Sequence, residues 1–478
     1  MALFEWECLE SIINNDTYLM PEASVLYTPA YEVSVKRDSN LQIHLITKCK
    51  GNAQANKVKR PLGTVRRNED NAKLVCKVNY HEIQVKGIAS ISSKKSRNHH
   101  EEAFIKEVSE VYSVEGNFKN LSSGKYLFEW IQNMDVDYYH WPRTVKYKSE
   151  DKLNLILNNE DREISFSAKG SENNSGQDAV RLTVDGHELW VSKINDKKSD
   201  DSCGRGFILY IGCPSENVRK RLRNCISFAL GRPLIYLGNT VLDSKYSLVS
   251  FYSVSAYSFD GKASKLPTTP PVFLGVKWLH ELNEIKLHRL VNALYKVYLE
   301  YDLDFIFWQY WHAVCSSIHS APVQFGASIE ALRTSLLEKN QIETSVVSKS
   351  DWKYFQEKMR IILDDWNIDE GEKSIIRNKL GSLNQAPQRI ITERFYQFLG
   401  LEFTDTEKGS WNRRNIAAHG QAVEEDDYID LIRDVKVLRI IFHRIVLKIS
   451  GGSDDYIDYF SLEHPIRKIE EGVPPEKV

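Results

Sequence analysis

Long apolar runs are missing from this chain of 478 residues. No window of about 18 residues is both apolar and uncharged, the length a membrane-crossing helix needs, so no membrane span is expected. The opening Met-Ala-Leu-Phe-Glu-Trp-Glu has no basic stretch followed by an apolar core. It does not read as a secretion signal, and a cytoplasmic protein is expected. Cysteine is sparse and scattered: Cys8, Cys49, Cys76, Cys203, Cys213, Cys225 and Cys315 include no Cys-x2-Cys pair. That usage fits a reducing compartment and offers no zinc motif; buried thiols, no metal and no cofactor are expected. Charge of one sign is lacking too. Lys and Arg number 63 against 65 Asp and Glu, a net charge of −2, so any nucleic-acid contact has to come from a local basic patch.

What is present belongs to a folded protein. Hydrophobic residues make up 42%, with 10 Trp, 23 Tyr and 19 Phe, too many for extended disorder. The length allows two or three domains, each with its own core. Residues 1–270 read mainly as short strands: Ser24–Tyr27, Tyr31–Val35, the alternating Leu41, Ile43 and Leu45, then Leu74–Val78, Glu82–Val85, Tyr126–Ile131, Leu153–Leu157, Ile164–Ala168, Val180–Val184 and Glu188–Ile194. Asp185-Gly186 between the last two is a hairpin turn signal. Many short strands with polar connections predict an antiparallel sandwich or barrel. Residues 158–178 and 195–203, rich in Asn, Asp, Ser, Gly and Lys, read as loops. A small subdomain is possible at 204–240: a strand Gly206–Ile211, then a helix Ser215–Leu230 capped by Ser215 and closed by Gly231. Tyr246–Tyr257 alternates as a further strand.

Three groups of basic residues stand out here. Lys57, Lys59, Arg60, Arg66 and Arg67 form one; Lys94, Lys95 and Arg97, ahead of His99-His100, form another. Each can lie along a phosphate backbone or keep a loop or edge strand soluble. The third, Arg219, Lys220, Arg221 and Arg223, reads as the solvent face of the Ser215–Leu230 helix or as a surface that contacts RNA.

The prolines of Leu266-Pro-Thr-Thr-Pro-Pro271 interrupt regular structure and suggest a boundary. From about 280 the period is helical. Ile285–Tyr301 and Leu303–Ser317 come first, the latter carrying Phe305, Phe307, Trp308, Tyr310 and Trp311, a stripe expected to pack on neighbouring helices or a second subunit. A helix through Pro322 runs to about Lys339, with Ile329, Leu332 and Leu336 inward and Glu330 at their edge. Trp352–Trp366, Glu372–Leu380 and Gln388–Leu399 follow. Ser410 is a candidate cap for the next helix. The last, from Ile429 to Ile449, repeats apolar residues at three and four before Gly451-Gly452 stops it.

Between these final helices lies Arg413-Arg414-Asn415-Ile416-Ala417-Ala418-His419-Gly420. On a helix Asn415 and His419 share a face, and the long Arg414 side chain reaches the same groove. The trio suits a phosphodiester, since imidazole moves protons near neutral pH and guanidinium grips phosphate oxygens in pairs. Read alone, His419 is equally a core histidine.

The stretch resembles the Arg-x4-6-His motif of the HEPN superfamily. Its surroundings, Ala327 to Arg333 (Ala-Ser-Ile-Glu-Ala-Leu-Arg), Leu380 to Gln385 (Leu-Gly-Ser-Leu-Asn-Gln) and Tyr456 to Tyr459 (Tyr-Ile-Asp-Tyr), resemble the ApeA-like HEPN group associated with bacterial anti-phage defence. The likeness covers about residues 305–460. It implies an α+β protein: a β-rich sensor or regulatory domain over 1–270, an all-α HEPN helical bundle over 280–460 and a tail over 461–478. It further implies Arg414 and His419 as the catalytic pair, Asn415 as the polar residue beside them and Glu330 as the acidic residue approaching Arg414. Arg413, Arg333, Arg219 and Arg223 are candidate RNA contacts. The implied function is metal-independent endoribonuclease action in abortive infection. The implied partners are RNA, a second copy through the helical domain and a phage-derived trigger, with no membrane. The alternatives are a non-catalytic HEPN scaffold that binds RNA or protein, and, last, a carbohydrate-binding or hydrolytic β protein with a helical tail.

Overall fold

The computed structural model describes residues 6–475 apart from 8, 14–16, 21–25, 56–61, 64–70, 77–80, 97–102, 119–122, 135–137, 143–144, 151, 160–161, 169–176, 195–203, 257–265, 277–279, 341 and 419–427. Strands fill the N-terminal part and helices the C-terminal part, a β-then-α order. Contacts divide the chain into two units: Met1–Pro270 with Leu274–Tyr295, and Pro271–Phe273 with Lys296–Val478.

In the first unit a ten-stranded sheet has the order Thr17–Leu19, Asn71–Cys76, His81–Lys86, Ser113–Asn117, Leu248–Val254, Tyr236–Leu242, Tyr126–Ile131, Gly206–Ile211, His187–Ile194 and Gln177–Val184. A four-stranded sheet runs Tyr27–Arg37, Ile43–Ala55, Phe104–Val111, Ala89–Ser96. Val145–Glu150, Lys152–Asn159 and Arg162–Ala168 form a third sheet, whose last strand contains the expected Ile164–Ala168 and begins two residues earlier, inside the stretch 158–178 also read as loop. Pairings within these three sheets are antiparallel. Alternation decides what they bury: Val33, Val35, Ile43 and Leu45 of the four-stranded sheet share one core with Leu74, Ile83, Val85, Val114 and Phe251 of the large one.

The Asp185-Gly186 turn forms where the sequence places it, both residues at positive φ, 50° and 77°, as a two-residue hairpin with right-handed strands demands. The helix Glu216–Leu230 has the expected ends. Ser215 Oγ accepts from Val218 N, and Gly231, left-handed at φ 73°, donates to Phe228 O and Ser227 O. This helix connects Gly206–Ile211 to Tyr236–Leu242, strands that flank Tyr126–Ile131 on either side. The 204–240 block thus contributes two strands to the large sheet. Lys94 and Lys95 lie exposed on an edge strand, whereas the cluster Lys57 to Arg67, Arg97 and His99-His100 fall outside the described residues.

Glu284–Val297 opens the run of helices, and its first turns belong with the β-rich unit. Glu284 accepts from Arg181 N at 3.0 Å, and His288 Nε2 lies 2.8 Å from Thr183 O. Contacts thus draw the division inside this helix, beyond the proline-rich 266–271.

The second unit holds Leu303–Cys315, Ala321–Lys339, Lys349–Asp365, Glu370–Ser382, Gln388–Leu399, Asp405–Ala418 and Tyr428–Ser450. The last is the centre of the bundle: Val437, Leu438, Ile440, Ile441, Phe442, Ile445, Val446 and Leu447 are fully buried. Its apolar stripe was visible in sequence; its burial on nearly all sides was not. The aromatic helix Leu303–Cys315 splits its rings. Phe307, Tyr310 and Trp311 are buried, while Phe305 and Trp308 stack on each other in solvent with centroids 6.1 Å apart. Tyr310 stacks on Phe442 of the long helix at 4.4 Å and bonds His443 Nε2 at 2.7 Å.

Candidate active site

The motif helix, Asp405–Ala418, starts five residues before Ser410, which corrects the cap assigned from sequence. Its start is a reciprocal box: Thr404 N donates to Glu407 Oε2 at 3.0 Å and Glu407 N to Thr404 Oγ1 at 3.4 Å, so each end of Thr404-Asp-Thr-Glu407 satisfies the other. The other oxygen of Glu407 accepts from Arg444, which is fully buried on the long helix. Arg444 also donates to Ile469 O at 3.0 Å, Glu402 O at 3.1 Å and Glu470 O at 3.0 Å. Burial raises the Glu407 carboxyl above its ordinary pKa, with the Arg444 charge opposing it. One turn on, Asp434 of the long helix accepts from Ser410 Oγ at 2.7 Å and from Arg413 Nε at 2.8 Å. Arg413 thus ties two helices together.

Arg414 is the next residue, about 100° further round the helix, and faces Ala321–Lys339 instead. It is 9% exposed. Its Nη2 donates to the Glu330 carboxylate, its Nη1 to Trp411 O at 3.1 Å, and its Cζ lies 3.5 Å from the centroid of the Trp411 ring. The slot is made by Gly326, one turn before Glu330: a Cβ there would come within 2.7 Å of Arg414 Cδ and 2.8 Å of Nε. Burial lowers the pKa of Arg414 while Glu330 holds it up, and a guanidinium stays charged under either influence. Glu330, whose side chain is 45% exposed, reaches from this seat to solvent.

Arg333, a turn beyond Glu330, is buried and donates to Thr392 Oγ1 at 2.8 Å and Gln388 Oε1 at 2.6 Å. Its guanidinium lies 6.0 Å from the Trp411 ring. Burial lowers its pKa, with Glu330 opposing and Arg414 adding to the shift. Two cations, one carboxylate and one indole are thereby assembled from two helices, Ala321–Lys339 and Asp405–Ala418, that are far apart in sequence. A guanidinium held at one edge by a carboxylate and on its face by an indole keeps a single orientation, as recognition of a phosphate oxygen requires.

Asn415 follows Arg414 on the same helix; its side chain and the whole of His419 lie outside the described residues, so their shared face does too. Arg219 and Arg223 belong to the other unit and face inward. Both are buried, donating to Glu129 Oε1 at 3.0 and 2.7 Å, which corrects the solvent-face reading for these two, while Lys220 between them is exposed.

Two other segments singled out in the sequence make local contacts. Asn384 pins Val347 by two bonds of 2.9 and 3.1 Å. Asp458 is fully buried and accepts from Arg467 Nε at 2.7 Å. Sequence reasoning passed over Gly326, Trp411, His443 and the Thr404–Glu407 box. Only the box carried a local signal, its Thr-x-x-Glu spacing.

No family model matches this chain, nor does any curated protein or solved structure. Among the described residues no three His, Cys, Asp or Glu side chains are grouped to hold a metal ion, and no helix is long and apolar enough to cross a membrane.

Proposed function

We propose that the helical half is a HEPN domain of the ApeA-like group and that the protein is a metal-independent endoribonuclease of bacterial anti-phage defence. The antiparallel, sandwich-like β half serves as its sensor. The supporting observation is the seat of Arg414: an ion pair with Glu330 from another helix, a stacked Trp411 and a glycine that leaves room for the side chain.

In this reading Arg414 stabilises charge developing on the phosphorus oxygens. The 2′-hydroxyl loses its proton to a base, its oxygen bonds to phosphorus and the P–O5′ bond breaks. The departing O5′ takes a proton from an acid. His419 serves as one of these groups and a second copy supplies the other, because one motif carries a single imidazole. The products are a 2′,3′-cyclic phosphate and a 5′-hydroxyl, which DNA cannot yield without the attacking group. Asn415 positions the phosphate.

The test is incubation of wild type, Arg414→Ala and His419→Ala with total bacterial RNA in EDTA, with end-group analysis. Cyclic phosphate ends from wild type alone are expected; equal cleavage by all three sinks the assignment. A second reading, a scaffold without chemistry, is favoured by the helices Lys349–Asp365 and Glu370–Ser382, which leave Tyr354, Ile361, Ile362 and Ile375 exposed, as is Trp366 between them. It predicts tight RNA or protein binding with no turnover by any variant.

A further inference from the structure

The β-rich unit contains a cavity of about 550 Å³ lined by residues of the helix Glu216–Leu230 and of the strands Tyr236–Leu242 and Leu248–Val254. That is within the roughly 300–1,000 Å³ of small-molecule sites. Arg219 and Arg223 line one wall, and Tyr112, Tyr236 and Tyr252 contribute rings.

The polar floor is complete. Glu129, fully buried, accepts from both guanidiniums through Oε1 and from Tyr210 OH at 3.1 Å through Oε2. Arg219 Nη1 donates to Pro214 O at 2.8 Å. The Tyr236 ring has the Arg223 guanidinium over it, Cζ 4.2 Å from the ring centroid. One carboxylate on Glu129 balances one of two buried cations, so a second negative charge is called for.

Glu216 supplies it from the mouth of the cavity. Its side chain is 53% exposed and pairs with Arg219 Nη2, but it stands 3.5 Å from Arg223 Nη2, the long limit of a hydrogen bond. A nine-tenths buried guanidinium is therefore aimed into the cavity with a donor that the resident carboxylate barely reaches.

We infer that this cavity is a binding site for a small aromatic anion, a planar ring carrying a phosphate or carboxylate, whose anionic group takes the place of Glu216 on Arg219 and Arg223. Glu216 acts as a resident competitor. Its carboxylate leaves the cavity unfilled, whereas an incoming ligand brings a ring to pack on Tyr236 and Tyr252. The inference is independent of ribonuclease activity in the helical unit.

Calorimetric titration of the full chain with AMP, benzoate, inorganic phosphate, adenosine and a 12-nucleotide RNA tests it. AMP or benzoate should bind more tightly than phosphate, and adenosine should not bind. Removing a competitor that occupies about nine molecules in ten raises apparent affinity about tenfold, which is the gain expected from Glu216→Ala. Tyr252→Ala should weaken the aromatic anion and leave phosphate unchanged. The two arms, AMP against benzoate, separate phosphate from carboxylate ligands. Absence of binding to both wild type and Glu216→Ala overturns the inference, as does affinity indifferent to Glu216→Ala. Binding confined to the RNA overturns it in favour of a strand-binding surface.

Discussion

A missing side chain decides the geometry around Arg414. Gly326 faces the aliphatic stem of the arginine so closely that even a methyl group would stand 2.7 Å from Cδ, well inside van der Waals contact. Gly326→Ala should leave the helix intact, since Ala is the better helix former, yet push the guanidinium off its Glu330 and Trp411 partners. A displacement of about 1 Å at a catalytic group can cost on the order of a hundredfold in rate. If the protein cleaves RNA as proposed, single-turnover cleavage should fall by about ten to a hundredfold while the thermal unfolding midpoint changes little; wild-type cleavage by the variant would show that the seat is irrelevant to activity. Arg414 and Glu330 could be paired from the sequence only through the family resemblance; on the residues alone Glu330 is as well placed to face solvent. Gly326 and Trp411 could not, because a glycine in a helix and a tryptophan three residues before an arginine acquire meaning only when two helices cross at that point.

Where elements meet, a buried histidine makes packing depend on pH. His443 of the long helix is fully buried and bonds Tyr310 of Leu303–Cys315 at 2.7 Å, with Arg439 and Tyr459 beside it. Burial, aided by the Arg439 charge, holds its pKa well below the ordinary 6.5. The native histidine thus stays neutral where the unfolded chain takes up a proton. Stability from this group is complete above pH 6.5 and is lost as pH falls below that value, by about 1.4 kcal/mol per pH unit at most. Urea denaturation followed by helical circular dichroism should show wild type losing about 1.4 kcal/mol more than His443→Gln between pH 7.5 and 5.5; parallel losses would refute the assignment. Periodicity exposed the long helix itself, as it exposed Tyr126–Ile131 and Gly206–Ile211 to the residue. Tyr236–Leu242 escaped because Gly238 and Asn239 interrupt its pattern. Gly238 sits at φ 145° beside a register shift, with a Cβ there falling 2.1 Å from Tyr252 O, so the residue that disguises the strand is one its close pairing requires.

For the whole molecule, charge and stoichiometry constrain how an RNA could be cut. A net charge of −2 gives no long-range attraction for a polyanion, so binding energy has to come from a few local cations and chemistry from well-placed groups. On the proposed function, transfer to the 2′-oxygen needs one proton removed and one delivered, and each chain would contribute one motif with one imidazole, that of His419. If two copies form one composite site, the rate per chain should rise in proportion to protein concentration when the protein is dilute and level off once it is dimeric. Measuring cleavage of one labelled RNA across a thousandfold range of protein, alongside sedimentation velocity over the same range, checks this directly. The midpoint of the activity curve should coincide with the monomer–dimer midpoint. A rate per chain that stays flat while the protein dissociates would place both proton transfers within one chain, and the second group would then have to be sought near Arg414 itself, where Glu330 is the half-exposed carboxylate.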